Sequence, residues 1–243
     1  MARLVTHAFV DRPAYDIAVS RAILERVARG ELPDTVRLAR PGAMVAFGKQ
    51  DVSSPWFVEA VAAARDGGFD AVKRLAGGRA AVFHDETVAF AWARATSDPW
   101  PGTHNRFREI SGGLGRALRA IGVDARVGEI PGEYCPGEYS VNAGGRTKLV
   151  GIGQRIIKGA SHIGGVIVVD GADRIRDVLV PVYDALGLDW DPETTGSVAG
   201  EIGPIAFEDV VAAIRAELPP LDEVALDDAT LALAERLEPE HLG

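Results

Sequence analysis

The chain has 243 residues, 47% of them hydrophobic and 25% charged, and a formal net charge of -9. This composition is typical of a globular protein, and the negative charge argues against nucleic-acid binding, which needs clustered lysine and arginine. No apolar run reaches the roughly 18 residues of a membrane span, and a single cysteine cannot form an internal disulfide. We therefore expect a cytoplasmic protein that binds neither nucleic acid nor membrane.

The first half of the chain predicts a mixture of helices and strands. Apolar residues recur at helical spacing after Pro13, a residue suited to a first helical turn. Short apolar or alternating runs between Gly and Pro turns predict strands. The predicted helices are residues 13–29, 55–65 and 105–122, and the predicted strands are residues 35–40, 43–47, 71–75, 80–83 and 88–92.

The second half is organised around residues 134–169, which contain the only cysteine, Cys135, and Lys148. Two extended stretches flank the Ala-Gly-Gly turn at 143–145, which predicts a hairpin with Cys135 at one end and Lys148 just past the turn. Further patterns predict a strand at residues 163–169 and helices at residues 174–186, 207–218 and 228–237.

The order of these elements predicts the class of fold. Strand pairs with interleaved helices, without strict alternation, are typical of an α+β fold with a mixed or mainly antiparallel sheet and flanking helices. We expect a main catalytic domain over residues 1–190. Residues 191–243 are then a short helical C-terminal extension packed on that domain.

Cys135 and Lys148 are the first candidates for chemistry. Cys135 precedes Pro-Gly, outside any apolar run, where a loop can present its thiol. A lysine ammonium about 4 Å away stabilises a thiolate by up to about 4 kcal/mol at an effective dielectric constant of about 20. Lys148 alone could therefore activate Cys135 as a nucleophile. The alternative is a small buried cysteine and an exposed strand lysine.

Two other stretches could contact a substrate. Side chains are small around Gly77 and Gly78, so a ligand could approach the main chain there, although a plain turn has the same composition. His84, in a predicted turn, could donate to a substrate or have a structural role. The histidines and the single cysteine show no metal-ligand spacing, so we expect no metal site.

Residues 74–85, RLAGGRAAVFHD, and residues 148–155, KLVGIGQR, are two glycine-containing blocks. Together they resemble the signatures of the lipoate–protein ligase and octanoyltransferase superfamily, and the resemblance covers most of residues 1–187. It implies a biotin/lipoate ligase-like fold. It also implies that the acyl group or substrate is bound by Arg74, Gly77, Gly78, His84, Gly151 and Gln154.

The stretch from Cys135 to Tyr139 is similar to the branch of this superfamily that uses a cysteine thioester. The resemblance implies that Cys135 accepts an octanoyl or lipoyl group and that Lys148 favours its thiolate. The implied partners are lipoyl-domain carrier proteins, namely the glycine cleavage H protein and the E2 subunits of 2-oxoacid dehydrogenases. A transferase of this kind needs no cofactor.

Two alternatives remain open at this point. One is an ATP-dependent lipoate–protein ligase that forms a lipoyl-adenylate at Lys148 and uses ATP and Mg²⁺. Leu75 stands where the ligases usually carry a second arginine, which weakens that alternative. The other is a non-catalytic carrier-binding protein, in which Cys135 and Lys148 would be incidental.

Overall fold

A computed structural model describes residues 1–97 and 100–243. Across these residues the chain forms two β-sheets with helices packed around them. Over the same ranges, no helix is both long and apolar enough to cross a lipid bilayer. The cytoplasmic location stays a prediction from the sequence.

The larger sheet is mixed, as predicted. Among the described residues its eight strands are β1 (Ala2–Val5), β2 (Thr35–Ala39), β6 (Thr87–Ala95), β7 (Ala125–Val127), β8 (Val141–Ala143), β9 (Thr147–Ile157), β10 (Ala160–Val168) and β11 (Leu221–Glu223). Their order in the sheet is β11-β1-β2-β6-β10-β9-β8-β7. Strand β1 pairs in parallel with β2 and β11, and the other pairs are antiparallel.

The smaller sheet has the order β4-β3-β5, with strands β3 (Met44–Phe47), β4 (Asp70–Lys73) and β5 (Ala81–Phe83). Strand β3 is parallel to β4 and antiparallel to β5. This arrangement places the connection between β4 and β5, residues 74–80, at one end of the sheet, close to β9 of the larger sheet.

The helices of the described chain are α1 (Pro13–Ala28), α2 (Lys49–Val52), α3 (Phe57–Asp66), α4 (Thr103–Ala120), α5 (Ala172–Leu186), α6 (Val198–Ile202), α7 (Phe207–Ala216) and α8 (Asp228–Leu237). Short 3-10 turns lie at Pro192–Thr194 and Glu238–His241. Helix α1 begins at Pro13, whose fixed φ suits the first helical turn.

Four apolar cores in the described chain hold these layers together, the smallest of them formed by Ala14, Met44, Ala46 and Val72 between α1 and the smaller sheet. The largest lies between the larger sheet and the buried faces of α4 and α7, where Leu114 and Leu118 of α4 point inward at helical spacing. A second core joins the smaller sheet to α3 and α5, and a third joins α1 to α8. Burial of these apolar surfaces is the main driving force for folding.

Every predicted helix and strand is present, with its ends shifted by about a turn or less. The sequence did not predict the short elements β1, β7, β11, α2 and α6, because a run of three to five residues is too short to show a period. Residues 191–243 add β11 beside β1, α7 against α4 and α8 against α1. The division of the chain at residue 190 stays a prediction.

Candidate active site

A cavity of about 950 Å³ opens where β9 and β10 meet the 74–80 connection and the loop that carries Cys135. Residues from both sheets line it, so its shape depends on how the two sheets pack together. Much of its wall is apolar, which suits a hydrocarbon group. The large apolar residues of the wall include Met44, Phe47, Phe83, Phe90, Phe107 and Ile152.

Glycines in the middle of β9 and β10 make room for this cavity. Gly151 and Gly153 lie on one face of β9, and Gly164 lies opposite Gly153 on β10. A side chain at Gly153 would come within 2.9 Å of the main-chain oxygen of Gly77. The absence of side chains therefore lets the 74–80 connection approach β9, where the N–H of Gly77 donates to the oxygen of Gln154 at 3.4 Å.

The 74–80 connection is fixed by contacts on its other side. Gly78 has a φ of 106°, which favours glycine, and its main-chain oxygen lies where a Cβ on Gly48 would be. The guanidinium of Arg79 donates to the fully buried carboxylate of Asp51 at 3.1 Å, and that carboxylate also accepts the N–H of Gly48. These contacts hold the main-chain N–H of Arg79 toward the cavity.

Cys135 faces this N–H in a left-handed conformation, with a φ of 42°. Among the described residues no other non-glycine has a positive φ. Its Sγ accepts a hydrogen bond from the N–H of Arg79 at 3.2 Å and one from Nη2 of Arg74 at 3.6 Å. Strained backbone is found preferentially at functional sites, and here the strain orients the sulfur toward two donors.

The main chain of Cys135 is held by Tyr183 of α5. The N–H of Cys135 donates to the hydroxyl of Tyr183 at 2.8 Å, and that hydroxyl donates to the oxygen of Ala80 at 3.1 Å. Burial, with a smaller effect of the charge on Cys135, raises the pKa of Tyr183, so its hydroxyl keeps its proton. Tyr183 therefore joins the cysteine loop to the 74–80 connection.

Glu133 organises the loop before and after the cysteine. Its buried carboxylate accepts hydrogen bonds from Nζ of Lys148 at 2.8 Å and from the hydroxyl of Ser140 at 2.6 Å. It also accepts the main-chain N–H groups of Ile130 at 3.1 Å and Gly137 at 3.2 Å. One buried carboxylate thus closes the loop into a compact unit.

Lys148 is fully buried, and its Nζ donates to three oxygens. They are the carboxylate of Glu133 and the main-chain oxygens of Tyr134 at 2.9 Å and Cys135 at 2.8 Å. An ammonium has three N–H donors, so all are used, and none of the described hydrogen bonds of Nζ is to sulfur. Lys148 and Cys135 are neighbours as predicted, but the lysine contacts the cysteine backbone.

Cys135 lies in a loop, as the Pro-Gly that follows it predicted, but it is not at the end of the hairpin. It lies in the loop between β7 and β8, before the hairpin, and not on a hairpin strand. The Cys-Pro-Gly turn and the bonds of Glu133 give this loop its own shape. The loop, and not strand pairing, therefore brings Cys135 next to Lys148.

The cavity wall brings together most of the predicted site residues: Cys135, Lys148, Arg74, Gly77, Gly78, Gly151 and Gln154. His84 lies apart from that wall within the described structure. It is fully buried, its Nδ1 accepts the N–H of Glu86 at 3.2 Å, and burial, with the charge of Arg174, lowers its pKa to about 4. A neutral buried imidazole in a turn fits the structural role and not the predicted substrate contact.

The sequence did not identify Glu133, Arg79 or Tyr183 as site residues. Arg79 stands inside the first glycine-containing block, and Glu133 stands two positions before the cysteine, so proximity to those motifs was a usable signal. A buried lysine also requires a carboxylate partner. No local signal points to Tyr183, which is close to Cys135 only through packing of α5.

The chain is similar to known proteins in sequence and in fold. A family profile described as the lipoyl protein ligase A/B catalytic domain matches residues 12–232. An octanoyl-[GcvH]:protein N-octanoyltransferase of Geobacillus kaustophilus is 26% identical over 223 residues, 91% of this chain and 75% of the relative. The octanoyltransferase LipM of Kyrpidia tusciae is 31% identical over 202 residues, 70% of this chain and 72% of the relative.

A solved structure shares the fold. It is a bi-partite lipoate protein ligase from Thermoplasma acidophilum, studied with its E2 lipoyl domain, and it superposes with a TM-score of 0.76 at 19% sequence identity. The match covers 98% of this chain and 92% of that chain. By the extent of the profile match, supported by the sequence relatives, the chain belongs to the lipoyl protein ligase A/B catalytic domain family.

Proposed function

We propose that the protein is an acyltransferase that moves an octanoyl group between carrier proteins through a thioester on Cys135. The thiolate attacks the acyl carbonyl, an S–C bond forms, and the donor atom of the first carrier leaves with its bonding electrons and takes up a proton. The lysine amine of the second carrier then attacks the thioester. An N–C bond forms, the C–S bond breaks with its electrons returned to sulfur, and the amine proton passes to solvent.

One observation carries this proposal: the Sγ of Cys135 lies at the wall of the cavity and accepts two hydrogen bonds from Arg79 and Arg74. Hydrogen bonds to the charged form of a group favour that form, so both donors support a thiolate. The apolar part of the wall supports an eight-carbon chain as the bound group.

The names of the relatives support the identity of the proposed carrier proteins. Relatives from Geobacillus kaustophilus and Bacillus velezensis are named octanoyl-[GcvH]:protein N-octanoyltransferases. We propose that the glycine cleavage H protein and the E2 lipoyl domains of 2-oxoacid dehydrogenases are the carriers of this protein. Octanoyl is the proposed group, and lipoyl, which has the same eight carbons and a dithiolane ring, is the bulkier alternative for the same cavity.

The ligase alternative fits the site less well. In a ligase that uses ATP and Mg²⁺, Lys148 would contact the acyl carboxylate and the adenylate. The three donors of Nζ are instead directed to Glu133, Tyr134 and Cys135. A substrate carboxylate would have to displace one of these bonds inside a buried ion pair, which is costly. The transferase proposal requires no such rearrangement and no cofactor.

The non-catalytic alternative does not explain the strained backbone of Cys135. A non-glycine residue in the left-handed region costs of order 1 kcal/mol or more. In this protein that residue is the sole cysteine, and its sulfur points at two donors. A nucleophile accounts for this combination.

Intact-mass measurement separates the three functions. The protein is incubated with octanoylated glycine cleavage H protein in the absence of ATP. Its intact mass is then measured before and after treatment with hydroxylamine. We expect an octanoyl adduct that hydroxylamine removes and that Cys135→Ser lacks. Transfer that survives Cys135→Ala and requires ATP would establish the ligase. Carrier binding without adduct or transfer would establish the non-catalytic protein.

A further inference from the structure

Charge near the sulfur of Cys135 comes from a different residue than the sequence suggested. Nη2 of Arg74 lies 3.6 Å from Sγ, within hydrogen-bonding distance for sulfur. The same guanidinium donates to the main-chain oxygen of Gly77, which fixes it beside the cavity. An arginine stays protonated at every pH at which a protein is folded. Arg74 therefore presents a permanent positive charge to the sulfur.

The charge of Lys148, in contrast, is already balanced. Its Nζ lies 2.8 Å from the carboxylate of Glu133, and both side chains are buried. A paired ammonium and carboxylate act on a third group as a dipole, whose influence falls off faster with distance than that of a single charge. The remaining donors of Lys148 hold the main-chain oxygens of Tyr134 and Cys135.

The backbone contacts explain how the sulfur reaches Arg74. The N–H of Cys135 is held by Tyr183, and its carbonyl oxygen is held by Lys148. With both main-chain groups fixed, the side chain is left to extend toward the 74–80 connection, where the N–H of Arg79 meets Sγ at 3.2 Å. Lys148 and Glu133 thus set the position of the cysteine.

We propose that Arg74 is a catalytic residue that stabilises the thiolate of Cys135 together with the N–H of Arg79, and that Lys148 and Glu133 are positioning residues. The inference rests on the proposed function, since it concerns the nucleophile of that reaction. The same charge serves both halves of the transfer, because the sulfur attacks as a thiolate in the first step and leaves as a thiolate in the second.

Alkylation by iodoacetamide tests the inference without any acyl donor. Cys135 is the only cysteine, so intact mass reports its alkylation alone, and the rate is measured from pH 5 to pH 10. For Arg74→Met we expect the midpoint of the rate profile to rise by about one pH unit and the rate at pH 7 to fall about tenfold. Arg74→Lys should recover part of this loss because it retains a charge.

One control removes charge without touching the sulfur. Arg155→Met removes an arginine from the same cavity wall and should leave the profile within about 0.3 pH units of the wild type. Circular dichroism establishes folding for each variant.

The outcomes decide the assignment. An unchanged midpoint in folded Arg74→Met would overturn it. If Arg74→Met does not fold, the neutral Arg74→Gln variant is compared with Arg155→Met instead, and coincident profiles overturn the inference. Failure of the proposed function would appear separately, as a wild-type protein that is alkylated normally yet forms no octanoyl adduct.

Discussion

Nζ of Lys148 lies 2.8 Å from the main-chain oxygen of Cys135, and the lysine thereby fixes the conformation of the residue that carries the thiol. The loop around this contact has little regular secondary structure. It depends instead on a few buried polar groups, chiefly the carboxylate of Glu133 and the hydroxyl of Tyr183. Substitutions at these groups should therefore affect stability and reactivity together.

Glu133→Gln should lower the free energy of unfolding by about 3 kcal/mol or more, because it leaves the buried ammonium of Lys148 without its counter-charge. The matched control is Glu201→Gln, which breaks the more exposed pair with Arg146 at 3.5 Å and should cost about 1 kcal/mol or less. Urea denaturation at pH 7 measures both losses. Equal losses would mean that the buried pair contributes no more than a surface pair.

Tyr183→Phe should leave the N–H of Cys135 and the oxygen of Ala80 without a partner, at a cost of about 1–3 kcal/mol. It should also slow octanoyl transfer, because the cysteine loop and the 74–80 connection lose their link. Hydrogen exchange at the amide of Cys135 should become faster. Tyr15→Phe removes another hydroxyl bond, to the oxygen of Leu231, far along the chain from Cys135. Similar slowing of transfer in that control would show a general loss of stability.

Gly77 and Gly78 should respond differently to substitution. A Cβ at Gly77 meets no atom within 4 Å, so Gly77→Val should fold with nearly normal stability while it narrows the cavity and slows transfer. Gly78→Ala should be destabilised by about 1 kcal/mol or more, since its φ is 106° and its Cβ would overlap the guanidinium of Arg74. Melting temperatures and transfer rates are measured in parallel. A Gly77→Val protein with normal transfer would place the acyl chain elsewhere in the cavity.

Stability should fall with pH below neutrality because of His162 on β10. Burial, with the nearby charge of Arg37, lowers the pKa of His162 to about 4, whereas the unfolded state has the ordinary value of about 6.5. Between these values the unfolded chain binds the proton and the folded chain does not, so acid favours unfolding. His162→Gln should reduce the loss of unfolding free energy between pH 6 and pH 5 by about 1 kcal/mol. Urea titrations at both pH values measure the free energy of unfolding of each protein. An equal loss between pH 6 and pH 5 in the wild type and in His162→Gln would contradict the prediction.

The sequence predicted the elements that carry a strong local pattern. Apolar residues at helical spacing located α1, α4 and α5, and the glycine-containing blocks located the part of the cavity wall next to the cysteine loop. Cys135 and Lys148 were predicted as neighbours, and they are in contact. These successes rest on patterns within about twenty consecutive residues, where period and turn signals can be read directly.

The atoms in contact could not be predicted in the same way. Whether Lys148 meets the sulfur or the carbonyl of Cys135 depends on how the loop turns, and the loop turns as it does because Glu133 accepts hydrogen bonds from Ile130, Gly137 and Ser140. The place of His84 could not be predicted for a related reason. Its motif is close to the cavity in sequence, but β5 carries it away from the wall into a buried turn.

The left-handed backbone of Cys135 has a consequence for the balance between stability and activity. Glycine adopts a φ of 42° without strain, whereas cysteine does not. Glycine is therefore the replacement that the backbone at this position tolerates best, although it lacks a thiol. Cys135→Gly should fold at least as well as the wild type. A search of this chain for thermostable variants that ignores activity would discard its only cysteine, because the proposed nucleophile lowers the stability that the fold could otherwise reach.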